Sequence, residues 1–347
     1  MSGPGIGPGA TFPADTGLDD VAPTISKILG FARPHPEVRS GEPVQAVVAG
    51  GTSPRLVVMV AWKGVGAVDL ATAPDSWPHL ADLMAAGAGT LEAENRSLSS
   101  DPAAALTTLG TGGVPSEHGI TGSLVRNEEA ELVGAWSRGS PVNVIATLAE
   151  DLDEEMDQKP VVALVGSEAP DRGLIGGDWH VEADRDLVSM LPAPSSAEAI
   201  AVQAEQLLRR TRLGRDDVPD LLAVSQQGTV EGLDRQLDRI VRAARETVGE
   251  HVLFVVAGTG SADRSLGPTD LTSGRLLRWL ETAVPGRERV IEAVGPGELF
   301  LDQDLLAARG MSDEVVLDAL SKLRDRSGEK LFADAFPSIT VTFGRFC

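Results

Sequence analysis

Two turns in this chain carry residues that could hold an anion. Lys63-Gly64-Val65-Gly66 follows one apolar run, and Gly258-Thr259-Gly260-Ser261 follows another. Backbone N–H groups where a strand turns towards a helix can cradle a phosphate, and Lys63 adds a cation. Lys63, Gly64, Gly258 and Thr259 are therefore candidate ligand-binding positions. Gln226 joins them, from Ser225-Gln226-Gln227-Gly228 after a third apolar run. The first turn is no dinucleotide fingerprint, because Asp69 stands where a third Gly would be needed. The chain also lacks a G-K-[ST] phosphate loop and a G-x-S-x-G nucleophile elbow. Asp101, followed by Pro102, has two readings. Its carboxylate could attack phosphorus or bind one hard cation. It could equally cap a helix whose first residue is proline. Lys63 could form an ion pair with Asp101.

Metal chemistry needs imidazole and carboxylate ligands that converge. The histidines are His35, His79, His118, His180 and His251. His251 precedes its strand, at the opposite end from a site built on strand C-termini. His79 falls in the first turn of a helix, His118 in a turn and His35 between prolines. His180, beside Asp178 and Trp179, is the one loop histidine with a functional reading. A two-metal centre is hard to assemble from this set.

The elements that must position these residues read as alternating strands and helices. Leu56 to Ala61, Pro160 to Gly166, Pro219 to Ser225 and His251 to Ala257 are buried parallel strands. Thr90 to Asn95 and Glu131 to Trp136 are further strand candidates. Arg289 to Val294, Glu298 to Leu301 and Ser338 to Phe343 add short ones. Helices are expected at Leu18 to Leu29, Trp77 to Ala86, Ala103 to Leu109, Val142 to Leu152, Ser195 to Thr211, Val230 to Val248, Thr272 to Val284 and Ser312 to Arg326. This order predicts an α/β fold: a mostly parallel central sheet with helices on both faces. Residues 1–17, rich in Gly and Pro, are expected to form a flexible arm. Residues 18–347 are expected to form one domain, with 171–192 as a possible insertion or cap.

The chain has 347 residues, 42% of them hydrophobic, which is enough for a large core. A net charge of −21 argues against nucleic acid or an anionic membrane as partner. No apolar run is long enough to span a bilayer. The one cysteine, Cys347, permits no internal disulfide, and a cytoplasmic setting is expected.

The stretch Thr111-Gly112-Gly113-Val114-Pro115-Ser116-Glu117-His118-Gly119-Ile120 resembles the T-G-x-x-P-x-x-H-G-I turn of the alkaline phosphatase superfamily, in particular its nucleotide pyrophosphatase/phosphodiesterase-like branch. Asp20-Val21-Ala22-Pro23-Thr24-Ile25 resembles a D-x-A-P-T-I helix that often comes late in such proteins and here comes first. The resemblance implies a phosphatase-like scaffold. It also implies two metal ions, usually zinc, flanking a Thr or Ser nucleophile. By that alignment the first metal-binding Asp falls on Lys63 and the nucleophile on Asp101. The mid-chain ligands fall on the Ser225–Gly228 stretch, an Asp-His-Gly turn on Gly258-Thr259-Gly260, and no His follows His251 for the last ligand. The reading is a pseudoenzyme that binds a protein partner or a phosphate-containing ligand, with no cofactor. The alternative is a metal-dependent phosphoester hydrolase with a rewritten site, using zinc or manganese and drawing on Asp101, Glu92, Glu94, Asp263 or His180.

Overall fold

The structure is a computed structural model that describes residues 1–97, 101–141, 143–177, 186–260, 273–284, 290–295, 297–324, 328–332 and 334–337. The chain divides into two compact units, Met1–Ala262 and Asp263–Cys347. This corrects the expectation of one domain over 18–347. Each unit has its own apolar core.

The first unit is built on a five-stranded parallel sheet. In chain order its elements are α1 (Val21–Leu29), β1 (Leu56–Lys63), α2 (Ala67–Thr72), α3 (Pro78–Ala86), α4 (Pro102–Thr111) and α5 (Pro115–His118). A small hairpin of β2 (Leu124–Arg126) and β3 (Leu132–Gly134) follows, then α6 (Leu148–Glu155), β4 (Val162–Gly166) and β5 (Leu187–Met190). The unit closes with α7 (Ala197–Arg210), β6 (Asp220–Gln227), α8 (Val230–Val248) and β7 (Val252–Gly258). The sheet order is β5-β4-β6-β1-β7, and every neighbouring pair is parallel. All eight residues of β1 are buried, because the strand lies inside the sheet with helices over both faces. Alternation along β1 sends Val57, Met59 and Ala61 into a core with α1, α4 and α6. Leu56, Val58, Val60 and Trp62 enter another with α3, α7 and α8.

Several expectations change at this level. Residues 1–17 are not a free arm. Ser2 exchanges backbone hydrogen bonds with Phe254 on the edge strand β7, and Ile6, Ala10 and Gly17 bridge to Val48, Ala88 and Glu94. A parallel sheet leaves unpaired backbone groups along its outermost strand, and this segment satisfies some of them. Thr90 to Asn95 is not a strand. It runs as irregular chain against that segment, bridging through Glu94 alone. Helix α6 starts at Leu148 because Thr147 caps it, accepting from Glu150 N while Glu150 reaches back to Thr147 N. Trp77 is the N-cap position of α3, and the cap is supplied from α8: Asp234 accepts from His79 N and Leu80 N. The 171–192 region holds β5 and a buried 3₁₀ turn at Ala169–Leu174, both part of the body of the unit. It is no cap over its described length.

The two sequence motifs meet in space. Gly112 ends α4 in the left-handed region (φ 73°), where a Cβ would press on Pro23 and Arg33. Arg33 spends its guanidinium on Asp151 (2.7 Å), Thr111 O (2.6 Å) and Ala146 O (2.9 Å), locking the turn to the Pro23 helix. Burial lowers the Arg33 pKa to about 10, which leaves it charged at neutral pH.

The second unit has α9 (Ser273–Ala283), an antiparallel pair β8 (Ile291–Gly295) and β9 (Glu298–Leu301), α10 (Gln303–Ala308) and α11 (Asp313–Ser321). The strand expected at Ser338 to Phe343 lies outside the described residues.

Candidate functional site

Open parallel sheets place their chemistry at the C-terminal ends of their strands. Here those ends present Lys63 on β1, Ser225 and Gln226 on β6, the Ser167–Glu168 turn after β4, and Thr259 after β7. Lys63 is 4% exposed. Its ammonium donates to Glu168 Oε2 at 2.5 Å and to Asp171 Oδ1 at 2.9 Å. Asp171, which is fully buried, accepts at Oδ1 from Ser225 Oγ (2.6 Å) as well. At Oδ2 it accepts from Ser167 N (2.8 Å) and Glu168 N (3.0 Å). Gly166 makes this possible, since a Cβ there would sit 2.5 Å from Asp171 Oδ2. A buried lysine keeps its charge when opposite charges and hydrogen bonds replace water.

The partner of Lys63 is therefore not Asp101, and the expected pair is corrected. Asp101 is fully buried and caps α4, accepting from Ala103 N at 2.8 Å. It also accepts from Ser123 Oγ (2.7 Å) and Ser123 N (2.8 Å), which ties the β2–β3 hairpin to the helix start. Its oxygens serve a structural junction.

The two glycine turns bind each other. Thr259 Oγ1 accepts from Gly64 N (3.0 Å), and Thr259 N donates to Trp62 O (3.1 Å). Gly66 N donates to Asp69 Oδ2 (3.0 Å). Gly258 packs against the Val65 carbonyl. Three of the N–H groups that could have cradled an anion are thus committed inside the protein. Gln226 donates from Nε2 to Ala197 O (2.9 Å), and its Oε1 is buried without a partner among the described residues.

The histidines sort by environment. His118 is fully buried; its Nδ1 accepts from Ile120 N (3.1 Å), so its Nε2 is left to donate to Thr108 Oγ1 (3.0 Å). Burial pushes its pKa down to about 3. His79 lies half exposed on the surface, 3.7 Å from Asp238. His35 is exposed beside Glu37. His180, Asp178, Trp179 and Asp263 lie outside the described residues. Glu92 and Glu94 are exposed. Among the described residues no three His, Cys, Asp or Glu side chains gather as a metal site would require. The donor set at the strand ends does not fit a two-metal centre: its two carboxylates already hold an ammonium.

The sequence named Lys63 as the central residue of this site but missed Glu168 and Asp171. Their spacing, S-E-x-x-D directly after a buried strand, was a legible capping pattern; which cation they serve depends on how β4, β6 and β1 are ordered.

A parallel sheet flanked on both faces, with its polar cluster at the strand C-termini, is an α/β fold that comparison with solved structures places as alkaline phosphatase-like. The solved structure of wild-type alkaline phosphatase PafA matches with a TM-score of 0.51 at 14% identity, over 79% of this chain and 77% of that one. A multiply substituted variant of PafA matches with a TM-score of 0.54 at 15% identity, over 79% and 78%. No protein-family profile and no curated protein sequence matches the chain.

Proposed function

We propose that this protein is a catalytically silent relative of the phosphatase-like enzymes whose fold it shares, acting by binding rather than by phosphoryl transfer. The observation that carries this reading is Lys63. Its ammonium occupies the end of the central strand, where the resemblance places a metal-binding carboxylate, and it is gripped by Glu168 and Asp171. A fixed cation there repels a divalent ion and consumes the ligands it would need.

The same geometry speaks to what is bound. Lys63, Glu168 and Asp171 sum to a net charge of −1, and the Gly64, Gly66 and Thr259 N–H groups are committed internally. A phosphate ester would meet little uncompensated positive charge. The binding role therefore falls to a protein partner or to a ligand that is not anionic.

Elemental analysis of protein purified without chelator and then offered zinc, manganese and magnesium tests the reading. Less than about a tenth of an ion per chain is expected, since a structural or catalytic metal site binds far more tightly than such washing removes. Turnover of p-nitrophenyl phosphate mono- and diesters is expected to stay at the uncatalysed rate. Stoichiometric metal together with metal-dependent turnover would establish the hydrolase reading instead.

A further inference from the structure

A cavity of about 290 Å³ lies in the first unit, bordered by Gly66, Gly258 and Gly260 of the two turns. It reaches Trp62, the residue beside Lys63 in β1. Alternation along the strand turns the two side chains to opposite faces of the sheet, so this cavity is distinct from the Lys63 cluster. Its walls are apolar, with Leu70, Leu80, Leu83 and Met84 contributed by α2 and α3. Glu94 is the single ionisable side chain among the lining residues, and no Lys or Arg lines it. Met1 also borders the cavity; its amino group donates to Ala88 O (2.8 Å), and burial lowers its pKa to about 6.

Two polar atoms on this wall lack partners. Trp62 is 1% exposed, and its indole Nε1–H has no acceptor among the described residues. Asn95 Oδ1 is likewise buried, with no donor among the described residues. Buried indole N–H groups ordinarily find an acceptor, and leaving one unmade is costly. An apolar pocket carrying a few unsatisfied polar groups is the usual form of a small-molecule site.

We propose that this cavity binds a small, uncharged, mainly apolar molecule. A carbonyl or hydroxyl oxygen of the ligand accepts from Trp62 Nε1–H, and an O–H or N–H donates to Asn95 Oδ1. The volume sits at the small end of ligand pockets and fits one or two fused rings. With Glu94 at the wall, no Lys or Arg in the lining and the Met1 amino group committed to Ala88 O, the cavity selects against phosphates and carboxylates. The inference does not depend on whether catalysis at the Lys63 face is lost.

The test is calorimetric titration of the full chain with naphthol, benzamide and indole, and with the matched anions naphthyl phosphate and benzoate. Submillimolar binding of at least one neutral probe is expected, with its anionic counterpart weaker by about tenfold or more. Trp62→Phe keeps the ring and removes the N–H. It should weaken naphthol and benzamide by about fivefold while leaving indole, which offers no acceptor, unchanged. Leu83→Trp fills the cavity and should abolish all binding. Asn95→Leu, at a partly exposed position, should weaken the donors if Leu83→Trp fails to fold by circular dichroism. The proposal is overturned if no neutral probe binds the folded protein, if the anions bind as well as their neutral partners, or if Trp62→Phe and Asn95→Leu leave every affinity unchanged.

Discussion

The Lys63 ammonium and the Asp171 carboxylate are held together because both have lost their water, while Glu168 completes the grip from a half-exposed position. Removing one partner exposes that cost. Lys63→Met leaves the buried Asp171 without its cation and with three remaining donors, and the expected loss is about 3 kcal/mol, read from urea unfolding. Lys63→Asp goes further, setting three carboxylates around one point. That variant should melt well below the parent without divalent ions and recover several degrees with millimolar manganese, because a ligand that binds only the folded state stabilises it. A variant indifferent to manganese would show that the scaffold has lost more than one ligand. His118 carries the pH dependence at this scale. In the folded chain its pKa falls from 6.5 to about 3 through burial, so below pH 6.5 the unfolded chain takes up a proton that the folded chain refuses. Stability is fully present above pH 6.5 and is lost as pH falls towards 3; between pH 7 and 5 the loss is about 2 kcal/mol. Asp220, raised by burial to about 6, acts in the opposite sense, since its folded form binds the proton more readily. Its contribution cancels when parent and His118→Gln are compared at each pH, and the variant's profile should be flatter.

At the scale of elements, the residue in the nucleophile slot does the work of a junction. Asp101 caps α4 and holds Ser123 by two bonds, so Asp101→Ala should cost about 2 kcal/mol in urea unfolding. Combining it with Ser123→Ala should add little, because the one bond that Ser123→Ala cuts is already lost with Asp101. Any effect of Asp101→Ala on phosphate-ester turnover beyond the loss of folded protein would argue for chemistry instead. The helices and central strands were legible in the sequence because burial on both faces of a sheet demands continuous apolar runs, as in β1 and β7, and an amphipathic helix such as α8 repeats Leu233, Leu237, Ile240 and Ala244 on its buried side. Thr90 to Asn95 misled because its alternating pattern fits a strand locally, whereas whether it pairs depends on which segment lies alongside. The edge strand β5, Leu187-Val188-Ser189-Met190, is only four residues long and exposed at both ends, so its pairing with β4 is a tertiary fact. The Lys63 partners were hidden for the same reason: Asp171 lies 108 residues away in sequence.

At the scale of the molecule, the boundary after Ala262 separates two self-sufficient cores. The first contains the whole parallel sheet and both layers of helices, and none of its buried apolar residues lies beyond Phe254 and Val255 of β7. The second gathers Leu276, Leu280, Ile291, Val316 and Leu320 around a hairpin and three helices. Ser2 already pairs with Phe254 on the edge strand β7. Residues 1–262 expressed alone should therefore be monomeric or better behaved than an unfolded fragment. They should unfold in one cooperative transition, whose urea m-value scales with their length because m follows the surface exposed. In the full chain the same transition should appear at a similar midpoint, with Lys63→Met lowering it equally in both. A fragment that expresses as molten, binding hydrophobic dye without near-ultraviolet dichroism, would show instead that the sheet draws stability from the segment after Ala262.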